Sequence, residues 1–458
     1  MASTMNAVCT QKTGFRRKLL SERIHYRAPF CSVIMAARIK GAVPREDLAR
    51  AINKAALMHP LLGTGIAIEG DGSAWFVPGE FKELPLEIKE KKNDMQWMEK
   101  AIAEYKKPFA LDKGPLIRFI LLDSQQSSDL LVMCHHAICD GISLVYLIRD
   151  ILSFLAEPDK EAEPLPIPPV LDLSCLTGPV RIGLLPKLVL GHFSRAWKKR
   201  MKVFGEEDYA KIYRSFWDRE KLNIIIHSMR QGMSSSLADR CRKEGVTVNS
   251  AVCTAFEAAQ HTVQKDIRHF KRTGIAVNLR NRMSESPGEG MGLFAGGNSV
   301  RLEYVPGKPF WDMAREFDRK VKKLLSGGYK LYEILLFNSM EQTLIDAVYF
   351  HLFGGFENKT AASFAKLLHF DRKIPGLGVT NLGKVHIPEI YGPYVLESLF
   401  FVPPNIPGGE KVLGVVTAGG IMNISLVSLE SHLDPHTAQK VMDCAVAYLE
   451  NAVSAGGP

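Results

Sequence analysis

The sequence predicts an α/β (α+β) protein of two lobes, and three observations carry that reading. The 458-residue chain exceeds what one core ordinarily organises and suits two units of roughly 200 residues. Stretches of strand composition alternate with amphipathic helical stretches in both halves. Between the halves, Glu157 to Val170 (EPDKEAEPLPIPPV) holds five prolines, which exclude regular helix and favour an extended connector. The expected division is a flexible leader at 1–19, an N-terminal lobe at 20–156, a linker and basic crossover at 157–221, and a C-terminal lobe at 222–458.

The leader lacks the apolar core of a secretory signal. Its Lys12, Arg16, Arg17 and Lys18 with few acids faintly resemble a transit peptide, but a short disordered segment is the favoured reading. Arg45 to Met58 places Leu48, Ile52, Ala55 and Ala56 on one helical face, with Pro44 before it and Pro60 beyond. Leu116–Leu122 and Leu130–His136 are rich in strand formers and flank the polar turn DSQQSSD. Ile142–Leu155 is apolar at 144, 147, 148, 151, 152 and 155, the mark of a buried helix. The second half predicts helices at Ser234–Glu244 (ending near Gly245), through Val263, at Trp311–Leu325 and at Pro435–Val453, and strands at Gly274–Leu279 and Ser299–Tyr304.

Composition narrows the classes. Hydrophobic residues at 46% and charged ones at 23% suit a globular core, and no run of about 18 apolar residues predicts a transmembrane helix. Cysteines 9, 31, 134, 139, 175, 241, 253 and 444 follow no framework spacing and read as reduced thiols in a cytoplasmic protein. The formal charge of +9 favours anionic partners, although no nucleic-acid motif accompanies it. Leu173 to Gly205 contains no acid but carries Arg181, Lys187, Arg195, Lys198, Lys199, Arg200 and Lys202 beside Leu184, Leu185, Leu188, Leu190, Phe193 and Trp197. Such a stretch can lie on a membrane or meet an acidic protein; an inter-lobe crossover with one solvated face is the plainer reading.

The chemistry concentrates in His135-His136-Ala137-Ile138-Cys139-Asp140-Gly141, where a strand passes into the buried helix. Adjacent strand side chains point to opposite faces, so one histidine can face a cleft while the other packs behind. A neutral imidazole can take a proton from a hydroxyl or amine near pH 7 and return it to a leaving thiol. Asp140 could hold that ring or shape its loop, or simply cap the next helix. Gly141 would admit a substrate or another backbone. A zinc site on Cys134, His135, His136 and Cys139 is disfavoured by strand alternation and by spacing, so no metal is expected. A cysteine nucleophile is equally disfavoured.

The segment His135–Gly141 matches HHxxxDG, and with it the chain resembles the condensation domains of nonribosomal peptide synthetases and related stand-alone acyltransferases. Further segments fit in order: His59-Pro60-Leu61-Leu62, Pro108–Phe119 (PFALDKGPLIRF), Gly245–Asn249 (GVTVN), Ala276–Arg280 (AVNLR), Gly297-Asn298 as a turn, and Thr380–Gly383 (TNLG). Together they span about residues 20 to 430. The resemblance implies two chloramphenicol-acetyltransferase-like lobes forming a V-shaped pseudo-dimer around a central tunnel.

It also implies roles. His136 is the catalytic base and Asp140 a structural partner of Arg280, with Arg282 as the alternative partner; His135, Gly141, Arg280 and Asn381 are substrate-binding or supporting residues, and Asn381, at the tunnel wall, is a candidate oxyanion donor. The expected reaction moves an acyl group from a thioester to an acceptor alcohol or amine, with acyl-coenzyme A or a phosphopantetheinyl carrier as co-substrate and no resident cofactor. The DFGWG segment of plant acyltransferases is missing, with Phe400–Asn405 (FFVPPN) near its place. The expected protein is a monomer acting on a hydroxyl acceptor. A free-standing amide-forming enzyme and a silent homologue that docks carrier proteins are the alternatives.

Overall fold

A computed structural model describes residues 15–177, 183–265, 272–326, 335, 337–405 and 408–454. Most of the leader and Arg181 lie outside the described residues. The first half supplies strands β1 (Arg17–Lys18), β2 (Ser32–Lys40), β3 (Thr64–Ile68), β4 (Ala74–Pro78), β5 (Leu86–Glu90), β6 (Ile117–Asp123) and β7 (Ser127–His135). Its helices are α1 (Arg23–Tyr26), α2 (Arg45–Met58), α3 (Gln96–Tyr105) and α4 (Gly141–Ala156). Helices α5 (Leu184–Lys198) and α6 (Glu206–Trp217) cross to the second half. There follow β8 (Leu222–Met229), α7 (Gln231–Glu244), α8 (Val248–Gln264), β9 (Thr273–Asn278), β10 (Ala295–Val300) and α9 (Phe310–Leu325). The chain continues through α10 (Thr343–Gly354), α11 (Lys359–Leu368), β11 (Ile374–Lys384), β12 (Ile390–Tyr391), β13 (Tyr394–Val402), β14 (Gly409–Ala418), β15 (Ile421–Leu429) and α12 (Pro435–Ser454).

Two six-stranded sheets organise the molecule, in the orders β12-β13-β2-β7-β6-β5 and β10-β9-β11-β14-β15-β8. Strands β2 and β7 lie centrally and are buried along most of their length. Strand β5, LEIKE, stands at an edge with its charged residues toward solvent, which blunts further pairing. Helix α2 packs on α4 through Leu48, Ile52 and Ala55, all buried. The His59 ring, 2.9 Å from the Asp150 carboxylate, ties the end of α2 to α4. In the second half α8 packs on α12, and its buried Ala251, Ala255, Ala258 and Ala259 leave room for close approach.

The structure corrects several expectations. The division at 222 does not hold for the sheets, because β13 pairs antiparallel with β2. Its apolar Leu399, Phe400, Phe401 and Val402 complete the first core. Helix α10 also buries into that core, where Asp346 pairs with Arg23. The turn between β6 and β7 is three residues, 124–126, not seven. Ser128 and Asp129 are polar yet enter the strand because partners satisfy them: Ser128 donates to the Gly41 carbonyl at 2.8 Å, and Asp129 faces Arg38 at 2.8 Å and Lys91 at 3.1 Å. Strand β10 begins four residues earlier than expected, and Gly297-Asn298 is no turn but part of it, opposite Ala276 and Ile275. A side chain at Gly297 would come within 2.3 Å of the Ile275 carbonyl oxygen, so glycine permits that pairing. Among the described residues, no helix is long and apolar enough to cross a membrane.

Candidate active site

The site forms where β7 ends. His135 closes the strand opposite Ser32, and the His136 amide still donates to the Cys31 carbonyl at 2.9 Å. His136 is therefore the first residue of the turn, one position beyond the strand in which it was expected. The two histidines still separate: His135 is buried at 2% exposure, whereas His136 is half-buried.

The next three residues fix the His136 ring. Its Nδ1 lies 2.7 Å from the Cys139 carbonyl oxygen. A carbonyl can only accept, so Nδ1 carries a proton, and in the neutral ring the lone pair is then on Nε2. On the other side the His25 ring packs against His136 with centroids 4.1 Å apart and planes tilted by 43°. His25 Nδ1 reaches the Cys31 thiol at 3.4 Å. Burial, then the neighbouring His136 and His135, hold His25 well below the usual histidine pKa. His25 escapes sequence reading because it lies in a four-residue helix 111 positions upstream of His136 with no motif to mark it.

Behind this pair, the His135 Nδ1 accepts from the Ala137 amide at 3.2 Å. Burial, followed by repulsion from His136, lowers its pKa to about 3. An unfolded chain protonates such a residue near pH 6.5, so below that pH the unfolded state binds more protons than the folded one. Stability is expected to fall as pH drops below about 6.5, by about 1.4 kcal/mol per unit from this residue. Urea unfolding between pH 7 and 5 measures it, and His135→Gln should flatten the slope; an unchanged slope would remove His135 as its source.

The nearby thiols are poorly suited to nucleophilic work. Burial raises the pKa of both Cys31 and Cys139, which keeps them protonated. Among the described residues the seven cysteines are all free, and no group of three His, Cys, Asp or Glu is arranged to hold a metal.

Asp140 does not touch the catalytic-histidine candidate; it anchors the loop. It caps α4, with Oδ1 accepting from the Ser143 amide at 2.8 Å and the Ser143 hydroxyl at 2.9 Å. Its Oδ2 accepts from Arg280 Nη1 at 2.7 Å and the Phe294 amide at 2.9 Å. Arg280 also reaches Ser143 Oγ at 2.9 Å and the Gly290 carbonyl at 3.1 Å. Burial alone would raise the Asp140 pKa, but Arg280 and the two amides outweigh it and hold the carboxylate low. The two readings of Asp140, cap and ion pair, are thus both realised. Arg282 bonds the Leu325 carbonyl instead, at 3.1 Å.

Gly141 opens α4 and lines a cavity of about 110 Å³ together with Asp140, Ala276, Phe294, Thr380 and Asn381. This cavity joins the HHxxxDG loop to β9 and β11, strands of the second sheet. Side chains, not a backbone, make the close approach at Gly141: an added Cβ would lie 2.7 Å from Leu382 Cδ2 and 2.9 Å from Phe401 Cζ. Gly141→Ala is expected to cost about 1–3 kcal/mol by overpacking, since Phe401 is itself buried; an unchanged urea midpoint would mean that both side chains yield. Asn381 accepts the Gly383 amide at 2.8 Å through Oδ1, leaving its amide hydrogens as donors.

Known proteins resemble this chain in sequence over part of its length and in fold over most of it. Residues 12–173 match the Condensation domain family, and the motif loop falls within that stretch. A curated relative, a linear gramicidin synthase of Brevibacillus parabrevis, is 29% identical over 164 residues, covering 34% of this chain and 3% of its own length. Residues 12–173 are thus similar in sequence to condensation domains. The TRI3 trichothecene 15-O-acetyltransferase of Fusarium sporotrichioides superposes at a TM-score of 0.67 with 11% identity, covering 96% of this chain and 97% of that one. The first condensation domain of the calcium-dependent antibiotic synthetase gives 0.61 with 13% identity, covering 96% and 97%. The condensation-domain-like fold therefore extends over nearly the whole chain, while the curated relative is far longer.

Proposed function

We propose that this chain transfers an acyl group from a thioester to an acceptor hydroxyl, with His136 as general base. The observation that carries the reading is the His136 Nδ1 contact with the Cys139 carbonyl, which makes Nε2 the basic nitrogen of the neutral ring. Nε2 takes the hydroxyl proton as the oxygen attacks the thioester carbonyl. The tetrahedral intermediate collapses, the C–S bond breaks, and the same proton passes to the leaving sulfur. Holding both reactants in one passage between the lobes supplies part of the acceleration. Asp140, Arg280 and His135 position the loop, Gly141 shapes the cavity, and in this reading Asn381, which lines the same cavity as Gly141, is the oxyanion donor.

The donor is acyl-coenzyme A or a phosphopantetheinyl carrier, a co-substrate rather than a resident cofactor, and the enzyme acts as a cytoplasmic monomer. Superposition on an O-acetyltransferase over nearly the full chain supports ester formation. The match to condensation domains supports a second reading, amide formation from carrier-bound groups. Release of free thiol from acetyl-, octanoyl- and palmitoyl-coenzyme A and from an acylated carrier protein, with and without alcohols and amines, separates them. Alcohol-dependent release supports the first reading. Turnover only with a carrier-bound donor and an amine supports the second, and no turnover with any donor points to a silent docking homologue.

A further inference from the structure

The basic stretch that the proposed reaction leaves unused folds into α5 and its continuation. One face of α5 is anchored: Trp197 is fully buried and its indole donates to Thr343 Oγ1 at 2.8 Å, while the Phe193 ring lies 5.0 Å from Phe364. The opposite face is bare. Leu184, Leu185 and Leu188 are 73%, 72% and 57% exposed. Of the ten large apolar side chains exposed among the described residues, five (these three with Met201 and Val203) fall within residues 184–203. Single exposed apolar residues are ordinary, but such a concentration marks a contact surface.

Charge then selects the partner. Lys187, Arg195, Lys199, Arg200 and Lys202 are all exposed, and no acid occurs between Leu173 and Gly205. At 100° per residue, Leu184, Leu188, Arg195 and Lys199 fall within about 60° of one another on the outward face. Leucines occupy its N-terminal end and cations its C-terminal end, roughly 16 Å further along the axis. We infer that α5 docks this protein on an anionic lipid surface, its leucines entering the acyl boundary while the cations meet headgroup phosphates. The inference is independent of the reaction proposed above. The buried Trp197 face keeps the helix seated on the protein, so docking needs no unfolding.

Sedimentation of the full chain with vesicles of phosphatidylcholine alone, or containing phosphatidylserine, tests this. Binding is expected only to the anionic vesicles. Arg195→Gln with Lys199→Gln should weaken it about fivefold per charge removed, and Leu184→Ser with Leu188→Ser at least roughly tenfold. All four positions are exposed, so thermal unfolding of both variants should match the parent chain. Absence of phosphatidylserine-dependent binding overturns the inference, as does binding that survives loss of the leucines. Binding of an acidic carrier protein at this face with vesicles left in solution also overturns it, in favour of protein docking.

Discussion

Replacing His136 with alanine is expected to lower acceptor-dependent thiol release by about 10²–10⁴-fold, the usual contribution of a positioned general base. The fold should survive, because His136 is half-buried at a turn and contributes one ring contact and one hydrogen bond. His136→Asn sharpens the test. Its side-chain amide can keep a bond to the Cys139 carbonyl while offering no basic nitrogen, so it should restore loop stability and leave the rate low. Thiol release unchanged in His136→Ala would remove this residue from the mechanism, whatever reaction the protein catalyses.

Breaking the Asp140–Arg280 pair should have the largest effect on stability. Both groups are nearly excluded from water, at 5% and 4% exposure, and removing one partner of such a pair costs about 3–5 kcal/mol. Asp140→Ala additionally removes the cap of α4, worth about 1 kcal/mol. Arg280→Ala leaves the Asp140 carboxylate with its amide and hydroxyl donors but without its counter-charge. The double variant should lose less than the two single losses combined, because neither charge is then stranded. The pH dependence has a definite sign: a carboxylate held low contributes stability above its unfolded value near 3.9, lost as pH falls through the lowered folded value. Arg280→Ala should diminish that acid-dependent loss. Urea titrations of the four proteins measure both effects, and an Arg280→Ala cost below about 1 kcal/mol would mean that the backbone donors hold the loop unaided.

These two experiments draw on different layers of information. The seven-residue motif and its place between strand and helix are legible in the sequence, since a β-period run passes directly into a 3.6-period run there. Resemblance paired Asp140 with Arg280, but only the fold chose Arg280 over Arg282, two residues away on the same turn. The difference is one of direction. Arg280 turns inward onto Asp140 and Phe294, while Arg282 turns to the Leu325 carbonyl, and no local pattern encodes that choice.

By itself the sequence determined the elements marked by their apolar composition and period: α2, α4, α8 and α12, the strand leading to His135, and the proline-rich break after α4. It also determined the residue types available for acid–base work. Tertiary structure decided what each one touches. It moved β13 into the first sheet, placed His25 on His136, fixed the His136 proton on Nδ1, and split α5 into an anchored face and an exposed one. All but the Nδ1 contact, which is made three residues away, depend on residues tens to hundreds of positions apart, where chain connectivity imposes no spacing and packing alone selects the partner.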